Sequence, residues 1–447
     1  MTIRVAYDIS FLANFFDRID YQNGIFRVIE EVLCELSKRD DVELTAMGLC
    51  GCSGFAFAED PLLDSINSYL YIEGRKDSVV CKFEPAFKSR MGLSKLYQNI
   101  FPASLSREFR ELSRFSPRSI YVRGIRSILY RLSHTYGIDR IERSFDYKKF
   151  DVFHSGFLKL PSAELTGGIP RVLTVYDLIP VAAPEFATPE FISLFQQILN
   201  SINIERDWVA CISEYTKQQF CGHMGMSPDR VFVTPLAAAG HFYPVNDLDQ
   251  VIAVHRRYGI PNGDYFLSIA APQPRKNLAH LIRCFFQLLS QEPTLDINLV
   301  LVGSRKQGWM YDEIFAAAND SDKFSSRVIF TDYIPDEDLR AIYSGAKAFV
   351  FPSLYEGFGL PPLEAMQCGV PVITSNTTSL PEVVGDAGIM VAPKDSDALC
   401  QAMLSLATDT ALSKELSWKG LKRAEKFSWA KCAADTAEVY KIAVSSR

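Results

Sequence analysis

The feature that most constrains this chain is a rhythm of short apolar, β-branched runs alternating with helix-length stretches, played twice in succession. The first series places strands at Arg4–Ile9, Val42–Met47, Val152–His154, Arg171–Tyr176, Trp208–Ile212 and Val231–Thr234. Helices over Phe26–Ser37, Pro189–Arg206 and Glu214–Cys221 fall among them. The second series starts at Tyr265, with strands at Tyr265–Ala270, Ile297–Val302, Val328–Thr331, Ala348–Phe351, Val372–Thr374 and Ile389–Val391. Helix-length segments separate these strands as well. Such alternation predicts parallel sheets covered by helices. Two series predict two doubly wound α/β domains facing each other across a crevice, with ligands at the carboxyl ends of the strands. A chain of 447 residues also exceeds what one core supports.

The boundaries follow from breaks in the rhythm. Residues 1–240 form the first domain, 241–261 a linker carrying Pro244 and acidic residues, and 262–425 the second domain. Residues from about 55 to 148 do not keep the pattern and read as a helical insertion. That insertion is where charge concentrates. Between Arg75 and Lys149 there are 17 basic against 7 acidic residues, although the whole chain carries −6. The arginines from Arg107 to Arg131 recur every three to five residues, interleaved with Phe109, Phe115, Tyr121 and Tyr130. This pattern suits a surface that meets anionic lipid headgroups or an anionic acceptor, or a solvated helical face. The acidic remainder and the lack of any recognisable nucleic-acid motif argue against DNA or RNA.

A mean hydropathy of +0.02, no membrane-spanning run and an N-terminus that enters a strand at once predict a cytoplasmic protein. Its ten cysteines show no CxxC pair, as in a reduced compartment.

Candidate chemistry gathers after the strands of the second domain. Glu356 and Glu364 bracket Gly357-Phe358-Gly359-Leu360-Pro361-Pro362-Leu363, a strand-to-helix turn whose two glycines let bare amides approach a ligand. Amides at a helix start favour an anion, and carboxylates accept from sugar or ribose hydroxyls. Simple capping is the plainer alternative. After the first strand of that domain, Arg275 and Lys276 in Pro274-Arg275-Lys276-Asn277 form a diphosphate clamp or ordinary surface charges. Gly303 and Tyr333 follow two further strands, Tyr333 flanking a nucleobase or merely packing. In the first domain, Gly24 opens a helix that could face a phosphate, or serves a turn. His154 and Asp177 follow strands, His154 as a proton relay or a structural histidine, Asp177 as an acceptor contact or a turn cap. The acidic triplets near Asp247, Asp336 and Asp395 lie in the linker or at helix starts, so no metal site is expected.

These residues resemble the family 4 glycosyltransferases of the GT-B fold. The likeness rests on YFLSIAAPQPRKN at Tyr265–Asn277, Leu301-Val302-Gly303, and the run from Ala348 to Pro381 with seven residues between its paired glutamates. It extends to GIFRVIEEVL at Gly24, DVFHSGFLKLP at Asp151, TVYDLIPVAAPEF at Thr174 and CISEYTKQQF at Cys211. The resemblance implies retaining, metal-independent transfer from a nucleotide sugar, without a cofactor. It implies that Arg275 and Lys276 neutralise the diphosphate, that Glu364 binds ribose, and that Glu356 with the amides of Phe358, Gly359 and Leu360 holds the sugar and distal phosphate. It also implies that 426–447 is a helix crossing back to the first domain. Two departures stand out: Tyr176 replaces the usual histidine before Asp177, and Ala270 replaces a usual glycine. The PRKN and EGFGLPPLEA variants are similar to bacterial mannosyl- and rhamnosyltransferases of surface polysaccharide assembly. GDP-mannose and a lipid-linked or saccharide acceptor at the inner face of the plasma membrane are thus the expected partners. An epimerase or phosphorylase of the same architecture, or a non-catalytic nucleotide-sugar-binding subunit, are the alternatives.

Overall fold

The computed structural model describes residues 2–9, 11, 24–47, 146–269, 273–303 and 311–446. The basic insertion, including Arg107–Arg131, and Ala270 lie outside the described residues.

Two six-stranded sheets form, and all their strand pairs are parallel. The first comprises β1 (Ile3–Asp8), β2 (Val42–Met47), β3 (Val152–Ser155), β4 (Arg171–Val175), β5 (Trp208–Cys211) and β6 (Val231–Val233), in the order β2-β1-β3-β4-β5-β6. The second comprises β7 (Asp264–Ile269), β8 (Ile297–Val302), β9 (Val328–Thr331), β10 (Ala348–Phe351), β11 (Val372–Ser375) and β12 (Gly388–Val391), in the order β12-β11-β10-β7-β8-β9. Strands such as Val-Phe-His-Ser in β3 and Ala-Phe-Val-Phe in β10 are buried at every position, because helices cover both faces.

The helices show why sequence pattern becomes packing. In the helix Gly24–Ser37, Phe26, Ile29, Leu33 and Leu36 recur at helical spacing and are buried. This helix packs against the closing helix Trp429–Ser445, which also touches β3 and β5. One apolar cluster therefore runs from the first sheet through Phe242, Tyr343 and Phe358 to Trp429 and Tyr440.

Several elements differ from the sequence reading, among them two helices in the second half of the chain. The linker contains a helix, Leu248–Arg257, whose Val251, Val254 and His255 are buried, with the Tyr265 hydroxyl 3.0 Å from His255 Nε2. Asp247 caps it by accepting from the amides of Asp249 and Gln250, the local signal that overrides a linker reading. The helix after the Glu356 turn begins at Leu360 and ends at Gln367. Pro361 and Pro362 fit the first turn, where their missing N–H groups cost nothing.

Candidate functional site

The order of the second sheet places β7 beside β10, and the connections leave these two strands on opposite sides. This topological switch point opens a crevice at the carboxyl ends of the strands. The segments leaving β7 and β10 carry the two charged motifs, and they are fastened to each other. Asn277 adopts φ 59° and its side-chain amide donates to the carbonyls of Pro352 (3.1 Å) and Pro393 (2.7 Å). The carbonyl of Arg275 accepts from the Leu354 amide (2.7 Å) and the Ser353 hydroxyl (2.9 Å). Asparagine tolerates this left-handed conformation better than most residues, which suits it to the turn.

Glu356 sits at the centre. Its Oε1 accepts from Lys276 Nζ at 2.7 Å and from Ser353 Oγ at 2.6 Å, and its Oε2 pairs with Arg275 at 2.7 Å. Burial pushes the carboxyl up, but the two cations and these hydrogen bonds outweigh it and hold the pKa at about 2. Lys276 is pulled down to about 8 by burial and by Arg275, with Glu356 opposing. Its ammonium also lies 4.5 Å from the Phe351 ring centroid. Two cations thus face the Glu356 carboxylate, with Asp177 a second acid within electrostatic reach of both. Behind Glu356, Thr378 takes φ 58°, an outlier for a β-branched residue, and its hydroxyl accepts from the Glu356 amide at 3.2 Å. Among the described residues no acceptor is paired with the amides of Phe358, Gly359 or Leu360. The Phe358 ring itself is buried against Phe427, centroids 5.8 Å apart.

The first domain closes directly onto this turn. A Cβ at Gly357 would stand 2.2 Å from the Tyr176 carbonyl oxygen and 2.9 Å from Asp177 Cβ, so only glycine fits. The Gly357 carbonyl accepts from Ser213 (2.7 Å) and Thr216 (3.3 Å), and Glu382 accepts from the amides of Glu214 (2.7 Å) and Tyr215 (2.6 Å). Asp177 accepts from the Ile179 amide at 2.9 Å; burial raises its pKa, while Arg275 and Lys276 oppose the rise and Glu356 adds to it.

One helix beyond, Glu364 is buried and reaches the same cleft. Arg27 of the first domain donates to its Oε1 at 2.8 Å, and the Tyr343 hydroxyl to its Oε2 at 3.2 Å. Burial raises the Glu364 pKa, and Arg27 opposes the rise. Arg27 also reaches Asp336 at 2.5 Å. Gly24, one turn before Arg27, lies across from Leu360, whose Cδ1 would be 3.7 Å from a Cβ there.

Comparison with known proteins now decides the family. The family described as Glycosyl transferases group 1 matches residues 264–409. The chain is 33% identical to the O-antigen chain mannosyltransferase B of Escherichia coli over 298 residues, covering 66% of this chain and 75% of that protein. It belongs to the group 1 glycosyltransferases. The serotype-specific mannosyltransferase WbdA of Escherichia coli is 34% identical over 265 residues, 59% of this chain but only 32% of that longer relative. A solved glycosyltransferase from Rickettsia africae ESF-5 superposes with a TM-score of 0.62 over 100% of both chains at 14% identity, which shows the shared GT-B fold.

In this glycosyltransferase, Glu356, Arg275, Lys276, Asp177 and Gly357 are brought together, with Glu364, Leu360 and Gly24 as a second group along the cleft. Gly303 follows β8 and Tyr333 follows β9 at the same sheet edge, Tyr333 being 63% exposed. His154 is placed differently. It is buried, with Nδ1 2.5 Å from the Tyr440 hydroxyl and Nε2 2.8 Å from the Thr174 hydroxyl. Burial lowers its pKa to about 3, and its two nitrogens tie the closing helix, through Tyr440, to β4, through Thr174. A proton relay at His154 is corrected to a structural role for this reason. Sequence reading missed Arg27, Asp336 and Glu382 because their partners lie far away in the chain. The Gly24-to-Arg27 spacing was the one available signal, since residues three apart share a helix face. No helix among the described residues is long and apolar enough to cross a membrane.

Proposed function

We propose that the cleft transfers mannose from GDP-mannose to a lipid-linked or saccharide acceptor with retention of configuration. The observation that carries this reading is the Glu356 carboxylate fixed between Arg275 and Lys276 beside the amides of Phe358, Gly359 and Leu360. Fixed cations and amides need no reorganisation as charge develops on a leaving diphosphate. In the proposed step the bond from the sugar's anomeric carbon to the acceptor oxygen forms on the face from which the phosphate departs. The anomeric carbon–phosphate oxygen bond breaks, and the acceptor proton passes to that phosphate oxygen. Arg275 and Lys276 meet the released charge, so the proposal includes no divalent ion and no cofactor. Glu356 and the turn amides hold the sugar and distal phosphate, Glu364 accepts from the ribose, and Asp177 faces the acceptor. Gly24, Gly303 and Tyr333 complete the donor wall. The mannosyltransferase relatives favour mannose, and the O-antigen name of one of them supports an acceptor of surface polysaccharide assembly. Contact with the inner membrane face through Arg107–Arg131 belongs to the same proposal.

A thermal-shift panel with GDP, UDP, dTDP and ADP should show stabilisation by GDP first. Labelled mannose transfer from GDP-mannose should persist in EDTA and fall at least about a hundredfold in Glu356→Gln, since losing one fixed stabiliser costs about 3 kcal/mol. Transfer that needs manganese, or that survives Glu356→Gln unchanged, would overturn the proposal.

A further inference from the structure

Arg27 stands where the proposed donor site and the closure of the two domains compete for one carboxylate. Its guanidinium leaves the Gly24–Ser37 helix of the first domain and forks between two acids of the second, Glu364 at 2.8 Å and Asp336 at 2.5 Å. The Glu364 side chain is 8% exposed, and the Tyr343 hydroxyl takes its other oxygen, so both of its oxygens are engaged. With Glu364 this buried, a ribose diol donating to the carboxylate would compete with Arg27 for access to Oε1. Asp336 offers the guanidinium somewhere to stay: it is 32% exposed and also lies 3.3 Å from His241 Nε2.

We propose that Arg27 is a resident competitor of the ribose, bridging Glu364 and Asp336 until a nucleoside diphosphate arrives and then retiring to Asp336. This rests on the assignment of Glu364 to the ribose given above. The exchange keeps an ion pair between the domains in both states, so nucleotide binding loosens the cleft locally without releasing it. It also makes donor affinity a difference between two hydrogen-bonded states of the same carboxylate. Charge-assisted hydrogen bonds to buried carboxylates are the strong class, so the competition should be measurable.

The test is isothermal titration of the full chain with GDP, UDP and ADP and with their 2′,3′-dideoxy counterparts. Removing the competitor in Arg27→Met should tighten ribonucleotide binding about three- to thirtyfold and leave dideoxynucleotide binding within about twofold. Asp336→Asn should act with the opposite sign, committing Arg27 to Glu364 and weakening ribonucleotide binding alone. Weaker binding of both nucleotide types to Arg27→Met would make Arg27 a direct phosphate ligand and overturn the proposal. Equal binding to all forms would make it a bystander. If the unaltered protein binds ribo- and dideoxynucleotides alike, the ribose assignment of Glu364 fails instead. If it binds none of the six, both readings fall together.

Discussion

Gly357→Ala puts one methyl group at the point where the two domains touch. The added Cβ would lie 2.2 Å from the Tyr176 carbonyl oxygen, whereas real Cβ contacts essentially never fall under 3.0 Å. The turn and the Tyr176 backbone must therefore separate by at least about 0.8 Å, since neither partner is a flexible side-chain end. Such a shift would carry the Ser213 contact from 2.7 Å to about 3.5 Å and the Thr216 contact from 3.3 Å beyond hydrogen-bond range. Losing one to two neutral hydrogen bonds plus overpacking strain predicts about 2–4 kcal/mol against the closed arrangement. Because the moved turn also carries Glu356 and the amides of Phe358 to Leu360, misplacement near 1 Å should lower transfer about a hundredfold. The assay is labelled mannose transfer alongside nucleoside diphosphate titration and the melting temperature. Arg275 and Lys276 lie on the segment leaving β7 and not on the displaced turn, so nucleotide Kd should change less than kcat. Wild-type turnover with an unchanged melting temperature would refute the reasoning.

Three further outcomes follow from individual side chains. Lys276 is cationic only below about pH 8, so GDP binding should weaken by up to about tenfold per pH unit above that value, and binding there should take up a proton; a pH-independent Kd between 7 and 9.5 would contradict it. Asn277→Ala removes two hydrogen bonds to the carbonyls of Pro352 and Pro393 and leaves a left-handed residue without its compensation. It should lower urea stability by about 3 kcal/mol. His154 is neutral in the fold, with a pKa of about 3 against an ordinary 6.5. Unfolded chains take up its proton first, so its contribution to stability is intact above pH 6.5 and drains away as pH falls toward 3. The slope of melting temperature with pH over that window should flatten in His154→Gln.

The architecture was legible in the chain because strand burial and helix amphipathicity are local properties of spacing. Every strand segment read from the sequence matches the observed one to within one residue at each end; Arg4–Ile9 and Tyr265–Ala270 are shifted by one residue against Ile3–Asp8 and Asp264–Ile269. The helix Leu248–Arg257 was missed because its apolar face is short, Val251 and Val254, and follows Pro244, Asp247 and Asp249, which alone suggest a linker. The helix Thr410–Ala424 was missed too: few of its residues are buried, so its apolar pattern is weak.

What the sequence determined by itself is the pair of parallel sheets and the position of Arg275, Lys276 and Glu356 just past strand ends, since chain direction and spacing suffice for both. The tertiary structure alone decided which of these groups face one another. Strand order made β7 and β10 neighbours, and so turned motifs 80 residues apart into one ion cluster. The same long-range packing sent His154 to Tyr440 and delivered Arg27 to Glu364, 337 residues away. Contacts of that kind depend on how two domains and a returning helix close on each other, and no local pattern of residues encodes that geometry.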